Sequence, residues 1–236
     1  MNAEPNPAAD AVSGAQPPIL LITGVSGSGK TTIGSLLAGR LGWEYAEADA
    51  FHPAANIAKM SAGHPLTDED RWPWLDNIGQ WIDETTARGR PGVVTSSALK
   101  RTYRDRLLRG RPQVRLIYLD ADRETVARRL TARNGHFFPP ELLDSQFGDL
   151  EPPADDEHPV RVRVDDHDSP LTVAERLIHT EKLESVEAAH DAEAAHSTAA
   201  SDAKAAHSAS AHDAEATHSA QTHDAQAKPA GKEAGE

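Results

Sequence analysis

The sequence predicts an α/β fold, in which a parallel sheet lies between two layers of helices. Two observations favour it. A short apolar run at residues 19–22 is followed at once by a glycine-rich loop and then by a helical pattern. Further apolar runs, near residues 93–94 and 116–119, alternate with segments of helical periodicity. Because helices that alternate with strands connect parallel neighbours, this order predicts a three-layer sandwich.

The loop after the first apolar run carries the clearest motif. Residues 24–31 read GVSGSGKT and fit the phosphate-binding pattern GxxxxGK[ST], which forms a P-loop between a strand and a helix. Its glycines let backbone N–H groups surround an anion, the Lys30 ammonium can contact terminal phosphates, and the Thr31 hydroxyl can bind Mg²⁺. The motif predicts a P-loop NTPase-like fold and a bound nucleoside triphosphate. Its predicted nucleotide-binding residues are Gly24, Val25, Ser26, Gly27, Ser28, Gly29, Lys30, Thr31 and Thr32.

The helix predicted after the loop points its N-terminus at the phosphates. Ile33, Leu36, Leu37 and Leu41 recur at helical spacing, and Gly42 is placed to end the helix. Backbone donors and the helix dipole both favour an anion at that end.

The remaining core continues the alternation, and ligands of such sheets bind at the carboxyl ends of the strands. A short second strand is predicted at 44–46, further strands near 93–94, 116–119 and 160–164, and helices around 70–88, 98–109, 122–133 and 171–178.

Composition divides the 236 residues into three parts. Residues 1–17 are rich in Ala, Pro and Asn, without a basic segment or a long apolar run, so we expect a disordered arm rather than a signal peptide. Residues 18–183 form the predicted domain. Residues 184–236 are predicted to be a disordered tail, because no large apolar residue follows Val186 to offset the entropy cost of folding.

Charge and cysteine content exclude several classes of function. The net charge of −13 is −7 on residues 1–186 (21 basic, 28 acidic) and −6 on residues 187–236 (3 basic, 9 acidic), so no nucleic-acid partner is expected. Absence of cysteine excludes disulfides and thiolate zinc sites, and no apolar stretch is long enough for a membrane span. We therefore expect a cytoplasmic protein without a membrane partner.

The tail is a degenerate repeat of Ala, His and Asp, and six of the twelve histidines lie in it. Two interpretations stay open. The histidines permit weak binding of nickel, zinc or copper, and the composition equally fits a solubilising extension without a dedicated ligand.

Two carboxylates follow the second predicted strand. Glu47 and Asp49 are two residues apart, so they would leave a strand on the same side. One could hold Mg²⁺ through water while the other accepts the proton of an attacking hydroxyl. A solvated acidic loop is the alternative, and the position beside the P-loop favours the functional interpretation.

The segments that follow resemble the gluconokinase family, small P-loop kinases of the shikimate-kinase-like group. The resemblance covers about residues 18–182, in family order and at family spacing. It rests on FHP at 51–53, NIAKM at 56–60, GHPLTDEDRWPWL at 63–75, SALK at 97–100, YRD at 103–105, IYL at 117–119, GHFF at 135–138, SQF at 145–147 and LE at 150–151.

The resemblance implies ATP-dependent phosphorylation of D-gluconate to 6-phosphogluconate, with Mg²⁺, and we expect a homodimer. Gluconate is an anion with several hydroxyls, so its site needs cations and polar groups. Lys100 and Arg104 are four residues apart on a predicted helix and are expected to share a face. The predicted substrate residues are Asp49, His52, Lys59, Arg71, Lys100, Tyr103, Arg104, His136 and Gln146.

The resemblance also implies a lid around residues 134–140, with one arginine near the adenine and another reaching the transferring phosphate; Arg129 is a predicted nucleotide-binding residue, and which of Arg129 and Arg133 contacts the phosphate stays open. Phosphoryl transfer depends mainly on positioning and charge neutralisation. Lys30, Asp49 and Arg133 are therefore the predicted catalytic residues, and Thr31 and Glu47 the predicted metal ligands. Arg129 could instead pair with acidic neighbours on its helix. Many family members have Asp where this chain has Glu47, so a longer side chain must reach the metal.

Three other functions are weighed against this one. A kinase for shikimate or a nucleoside monophosphate would lack the FHP, DRxPWL and GHFF segments. A histidine-rich P-loop GTPase that delivers metal would need a guanine-reading Asn-Lys-x-Asp motif, which the sequence does not contain. A non-catalytic nucleotide sensor would not be expected to retain Lys30, Asp49 and the lid arginines together.

Overall fold

The computed structural model describes residues 16–134, 140–165 and 167–183, and side chains throughout these ranges except at 133–134 and 140–142. The chain divides into residues 1–186 and 187–236. All described residues belong to the first unit. The predicted arm and tail lie outside the described residues and stay predictions.

The described core is a five-stranded parallel sheet with helices on both faces, which confirms the predicted fold class. The strand order is β2-β3-β1-β4-β5, and every neighbouring pair is parallel. The strands are β1 (Ile19–Thr23), β2 (Glu44–Glu47), β3 (Gly92–Ser96), β4 (Val114–Asp120) and β5 (Val160–Arg163).

Seven helices connect or follow the described strands. The α-helices of the described residues are α1 (Lys30–Leu41), α2 (Ala54–Ser61), α3 (Asp68–Ala87), α4 (Arg101–Leu108), α5 (Arg123–Asn134), α6 (Pro140–Asp149) and α7 (Pro170–Thr180). The sequence did not predict α2 and α6. No helix of the described residues is both long and apolar enough to cross a membrane.

Alternate side chains of β1 pack against the two helical layers on opposite faces of the sheet. Leu20 and Ile22 belong to one buried cluster, shared with residues of α1, α5 and α7. Ile19 and Leu21 belong to the other, shared with α3 and α4. Successive strand side chains point to opposite faces, so burial on both faces requires an uninterrupted apolar run.

Topology opens a crevice at the carboxyl ends of β1 and β4, beside the loop that follows β1. From β1 the chain runs to β2 and returns through β3, and only then crosses to β4 on the other side of β1. The connections leaving β1 and β4 therefore diverge, and ligands bind in the crevice that such a divergence opens.

Candidate active site

The P-loop has the backbone conformation that its glycines predict. Gly24, Gly27 and Gly29 have φ values of 147°, 84° and 103°, a region that other residues rarely adopt. A Cβ on Gly24 would lie 2.9 Å from the carbonyl oxygen of Leu119, and one on Gly27 would lie 2.9 Å from a side-chain carbon of Leu130. Helix α1 begins at Lys30, so its N-terminus faces the loop.

A polar cleft of about 120 Å³ lies between the P-loop and the ends of β2 and β3. It brings together six predicted site residues, which belong to two segments of the chain, with residues of a third segment at the end of β3. The lining residues are Ser26, Gly27, Lys30, Thr31, Glu47, Asp49, Thr95, Ser96 and Ser97.

Lys30 supplies the positive charge of this cleft. Its ammonium donates to the carbonyl oxygen of Val25 at 3.0 Å. Burial lowers the pKa of Lys30 to about 8, and the charges of Asp49 and Glu47 oppose that shift. An ammonium held in a buried position is stabilised by added negative charge, so the site suits a phosphate.

Thr31 and Glu47 form the candidate metal site. The Thr31 hydroxyl donates to Glu47, which places two oxygen ligands beside the P-loop. Among the described residues no group of three His, Cys, Asp or Glu side chains could hold a metal by itself. This donor set fits Mg²⁺, which keeps several waters and binds through few protein oxygens together with substrate phosphates.

Asp49 lines the cleft, but it does not belong to an extended strand as the alternation argument assumed. Strand β2 ends at Glu47, and Asp49 lies in the 3₁₀ turn Ala48–Phe51. Two side chains of α3 form hydrogen bonds to that turn. The indole N–H of Trp74 donates to Ala48 O at 2.7 Å, and the side-chain amide of Asn77 donates to Phe51 O at 2.9 Å. The two carboxylates therefore line one cleft because α3 fixes the turn.

His52 is close enough to Asp49 and Arg71 for both charges to act on its ring. Its ring stacks on Trp74 with centroids 4.7 Å apart and an interplanar angle of 11°. Burial lowers the pKa of His52; the charge of Asp49 opposes this effect and that of Arg71 adds to it. His52 is thus a neutral imidazole at pH 7, suited to hydrogen bonding with hydroxyl groups.

Three predicted substrate residues converge on Asp68. Its Oδ1 accepts from the Lys100 ammonium at 2.8 Å and from the Tyr103 hydroxyl at 2.5 Å. Arg71 lies 3.7 Å from the same oxygen and donates to the Tyr103 hydroxyl at 3.2 Å. We call these four residues the Asp68 cluster.

Lys59 lies on α2 in a separate ion pair. Its ammonium contacts Asp70, whose carboxylate also accepts from the Thr67 backbone N–H at 2.8 Å and closes the capping box of α3. Asn56 donates to Asp70 O at 2.7 Å. These contacts join α2 to the start of α3.

Arg104 does not share a face with Lys100, contrary to the expectation from their spacing. Lys100 is the N-cap residue of α4 rather than part of the helix. Arg104 is 1% exposed, binds Glu157 through two nitrogens at 2.6 and 2.9 Å, and donates to Leu99 O at 2.7 Å. Its guanidinium therefore contacts the protein interior, and the role of Arg104 as a substrate residue stays a prediction.

Gln146 contacts the P-loop rather than the Asp68 cluster. Its side-chain oxygen accepts from the Ser26 backbone N–H at 3.1 Å. Helix α6 thereby reaches the anion-binding loop, and the structure places Gln146 next to the expected phosphates.

Of the predicted lid residues, only Arg129 has a described side chain. It donates to the carbonyl oxygen of Asp165, and one of its nitrogens lies 4.0 Å from the Cβ position of Gly29. The side chain of Arg133 and the whole of His136 lie outside the described residues, so their predicted roles stay predictions.

Sequence reasoning missed several polar residues of the site. Ser96 and Ser97 line the cleft at the end of β3, and the rule that ligands bind at the carboxyl ends of strands could have found them. Asp68 lies inside a segment that carries the family resemblance, but a single acidic residue in a helical first turn is usually a dipole partner.

Comparison with known proteins agrees with this geometry. Residues 19–153 match the AAA domain family. A gluconokinase from Gluconobacter oxydans is 47% identical over 165 residues, which cover 70% of this chain and 92% of that one. A solved sugar kinase from a Janibacter species is 44% identical with a TM-score of 0.63, covering 71% of this chain and 95% of its own.

A solved gluconokinase from Sinorhizobium meliloti is 39% identical with a TM-score of 0.61, covering 70% of this chain and 90% of its own. Residues 19–153, the range that the family model matches, contain the P-loop, both carboxylates and the Asp68 cluster. The identity extends well beyond the P-loop, over nearly the whole length of these relatives. The chain therefore belongs to the gluconokinase family.

Proposed function

We propose that this protein transfers the terminal phosphoryl group of ATP to the 6-hydroxyl of D-gluconate, which yields 6-phospho-D-gluconate and ADP. The observation that carries the proposal is the single cleft in which P-loop Lys30 faces Asp49. The membership in the gluconokinase family gives the acceptor. The product would feed the pentose phosphate and Entner–Doudoroff routes.

The P-loop is the site for the phosphates of ATP. Its backbone N–H groups and Lys30 neutralise charge that builds up on the phosphoryl group during transfer, which is the main source of acceleration in this class of reaction. Mg²⁺ at Thr31 and Glu47 would supply further neutralisation of the phosphate oxygens. Arg129 borders the P-loop, and we infer that it contacts the nucleotide.

Asp49 is the residue that receives the proton. It lies in the cleft with Lys30 but outside the Thr31–Glu47 hydrogen bond, so its carboxylate is available to orient a hydroxyl. As the oxygen of that hydroxyl bonds to phosphorus, its proton passes to Asp49, while the electron pair of the broken bond stays with ADP.

The other end of gluconate binds the Asp68 cluster. Arg71 and Lys100 supply cations for the carboxylate, and His52, which feels the charges of Arg71 and Asp49, contacts the hydroxyls. In this orientation the gluconate carboxylate contacts Arg71 and Lys100, whereas the phosphates of ATP contact Lys30. The two anionic groups therefore bind different cationic side chains.

The experiment is a comparison of ADP formation with D-gluconate, other sugar acids, shikimate and nucleoside monophosphates. We expect the kcat/KM for gluconate to exceed that for each other acceptor by at least tenfold. A higher value for shikimate or a nucleotide would overturn the acceptor but leave the kinase chemistry standing. ADP formation that is independent of every acceptor would contradict both.

We also infer that the protein is a cytoplasmic homodimer. Light scattering after size-exclusion chromatography measures the mass in solution, and a value near the 25.3 kDa of one chain would contradict the dimer. Fractionation of the source cells, with detection of the native protein, tests the compartment.

A further inference from the structure

The arrangement of contacts on Asp68 is asymmetric. All its contacts with Lys100, Tyr103 and Arg71 are made by Oδ1. Within the described residues, Oδ2 accepts no hydrogen bond, and the side chain is 43% exposed. One oxygen thus organises the cluster while the other is open to a ligand.

The carboxylate is an acceptor and not a donor. Hydrogen bonds from Lys100 and Tyr103 hold the pKa of Asp68 below its ordinary value, so the group is ionised at pH 7. An ionised carboxylate has only acceptor oxygens. Oδ2 can therefore bind a hydroxyl or an N–H group of a ligand, but it repels another carboxylate.

The charge of the cluster matches a single carboxylate. Arg71 and Lys100 contribute two positive charges, and Asp68 balances one of them. A substrate carboxylate that pairs with Lys100 and Arg71 on the side away from Oδ1 balances the other. The carbon next to that carboxylate would then carry the substrate substituents that lie nearest to the cluster.

We propose that Asp68 is a specificity residue, whose Oδ2 accepts a hydrogen bond from the hydroxyl adjacent to the substrate carboxylate. The cluster thereby recognises a 2-hydroxy acid and not merely an anion. This inference rests on the proposed function, since it assigns the carboxylate end of gluconate to the cluster.

The test compares D-gluconate with 2-deoxy-D-gluconate in the wild type, Asp68→Asn and Asp68→Ala. A hydrogen bond to a charged group is worth roughly tenfold to a hundredfold in affinity, so we expect the wild type to prefer gluconate by that factor in kcat/KM. Asn keeps a weaker acceptor and should show a smaller preference. Ala should show none. Calorimetric titration of both acids, without ATP, should give the same order in Kd.

Asp76→Ala is the matched control. Asp76 lies on the same helix and forms an ion pair with Arg106, 2.7 Å away, but it is not part of the cluster. We expect this variant to retain the full preference for gluconate. Thermal unfolding of each variant checks that the fold is intact.

Three results would contradict the inference. An unchanged preference in Asp68→Ala would mean that Oδ2 does not bind this hydroxyl. An equal fall in kcat/KM for both acids would mean that Asp68 only supports the fold of the cluster. Tighter binding of both acids would mean that Asp68 competes with the substrate. If the wild type forms no ADP with gluconate, the proposed function fails and takes this inference with it.

Discussion

At the scale of single residues, the site is built around an ammonium that is held in a buried position before any phosphate arrives. Lys30 contacts the Val25 carbonyl oxygen, and its pKa is lowered to about 8 mainly by burial. Charge that is already in place when the transition state forms needs no reorganisation at that moment. Phosphoryl transfer should therefore depend more on Lys30 than binding does.

Replacement of Lys30 by Ala removes this charge. We expect turnover to fall at least a hundredfold, equivalent to about 3 kcal/mol, while the protein stays folded. Steady-state kinetics with gluconate and circular dichroism measure the two effects. Near-normal turnover in a folded variant would show that the P-loop does not serve phosphoryl transfer.

The two carboxylates of the cleft should respond differently to magnesium. Glu47 is hydrogen-bonded to Thr31, so Glu47→Gln should raise the magnesium requirement and be partly rescued by excess metal. Asp49→Asn keeps the shape but loses the proton acceptor. Turnover should fall roughly a hundredfold without rescue, and ATP affinity should change far less.

Titration of magnesium against rate, on both variants, separates these roles. Equal rescue of the two would mean that both carboxylates serve the metal. Rescue of Asp49→Asn alone would mean that the roles are reversed.

At the scale of elements, the start of α4 is tied to residues 151–157. The Arg101 backbone N–H donates to the Glu151 carboxylate at 2.6 Å, and the Glu151 N–H donates to Leu99 O at 3.1 Å. Arg104 and Glu157 add a buried bidentate pair whose side chains are 1% and 2% exposed. This connection positions Lys100 and Tyr103, so Arg104 acts on the site through the backbone.

Replacement of Glu157 by Gln should destabilise the protein by about 3 kcal/mol or more, because it leaves the Arg104 guanidinium buried without its counterion. Burial by itself raises the pKa of Glu157, but hydrogen bonds from Arg104 and the Ala154 N–H outweigh burial and hold it below the ordinary 4.5. A lowered carboxyl pKa stabilises the fold above about pH 4.5, and this contribution is lost as the pH falls through the folded value.

The stability difference between wild type and Glu157→Gln should therefore be full at pH 7 and shrink below pH 4.5. Urea denaturation at several pH values measures it. A difference that is constant between pH 7 and pH 3 would show that the ion pair is not its source. Arg101, which pairs with the exposed Asp156 at 2.8 Å, offers a control: Asp156→Asn should cost far less.

At the scale of the whole molecule, the kinase domain and the tail differ in what they can bury. Residues 18–183 supply two apolar clusters, one on each face of the sheet. Residues 187–236 contain no Leu, Ile, Val, Phe, Met, Trp or Tyr. A segment without such residues cannot offset the entropy cost of ordering, so we expect the domain to fold and act without it.

A chain that ends at Leu183 should keep its melting temperature and its gluconate kinase activity. Calorimetry and steady-state kinetics compare it with the full chain. Weak binding to nickel resin is expected of the full chain and not of the truncated one. A large loss of stability or turnover on truncation would show that the tail packs on the domain.

The sequence by itself determined the P-loop, the parallel sheet and the succession of strands and main helices along the chain. Those features depend on local patterns: a strand buried on both faces needs a continuous apolar run, and a phosphate loop needs glycines at fixed spacing. Strand β1 and helix α1 were predicted to within one or two residues for that reason. Helix α2 was missed because its apolar residues Ile57 and Met60 are exposed, so it has no periodic buried face.

Only the tertiary structure decided what the charged residues do. Arg104 and Lys100 were indistinguishable by spacing, yet one pairs with Glu157 in the interior and the other with Asp68 at the cluster. Gln146 contacts the P-loop across 120 residues of sequence. A charged or amide side chain carries no periodic signal of its partner, because its contacts join segments that meet only when the sheet and helices have packed.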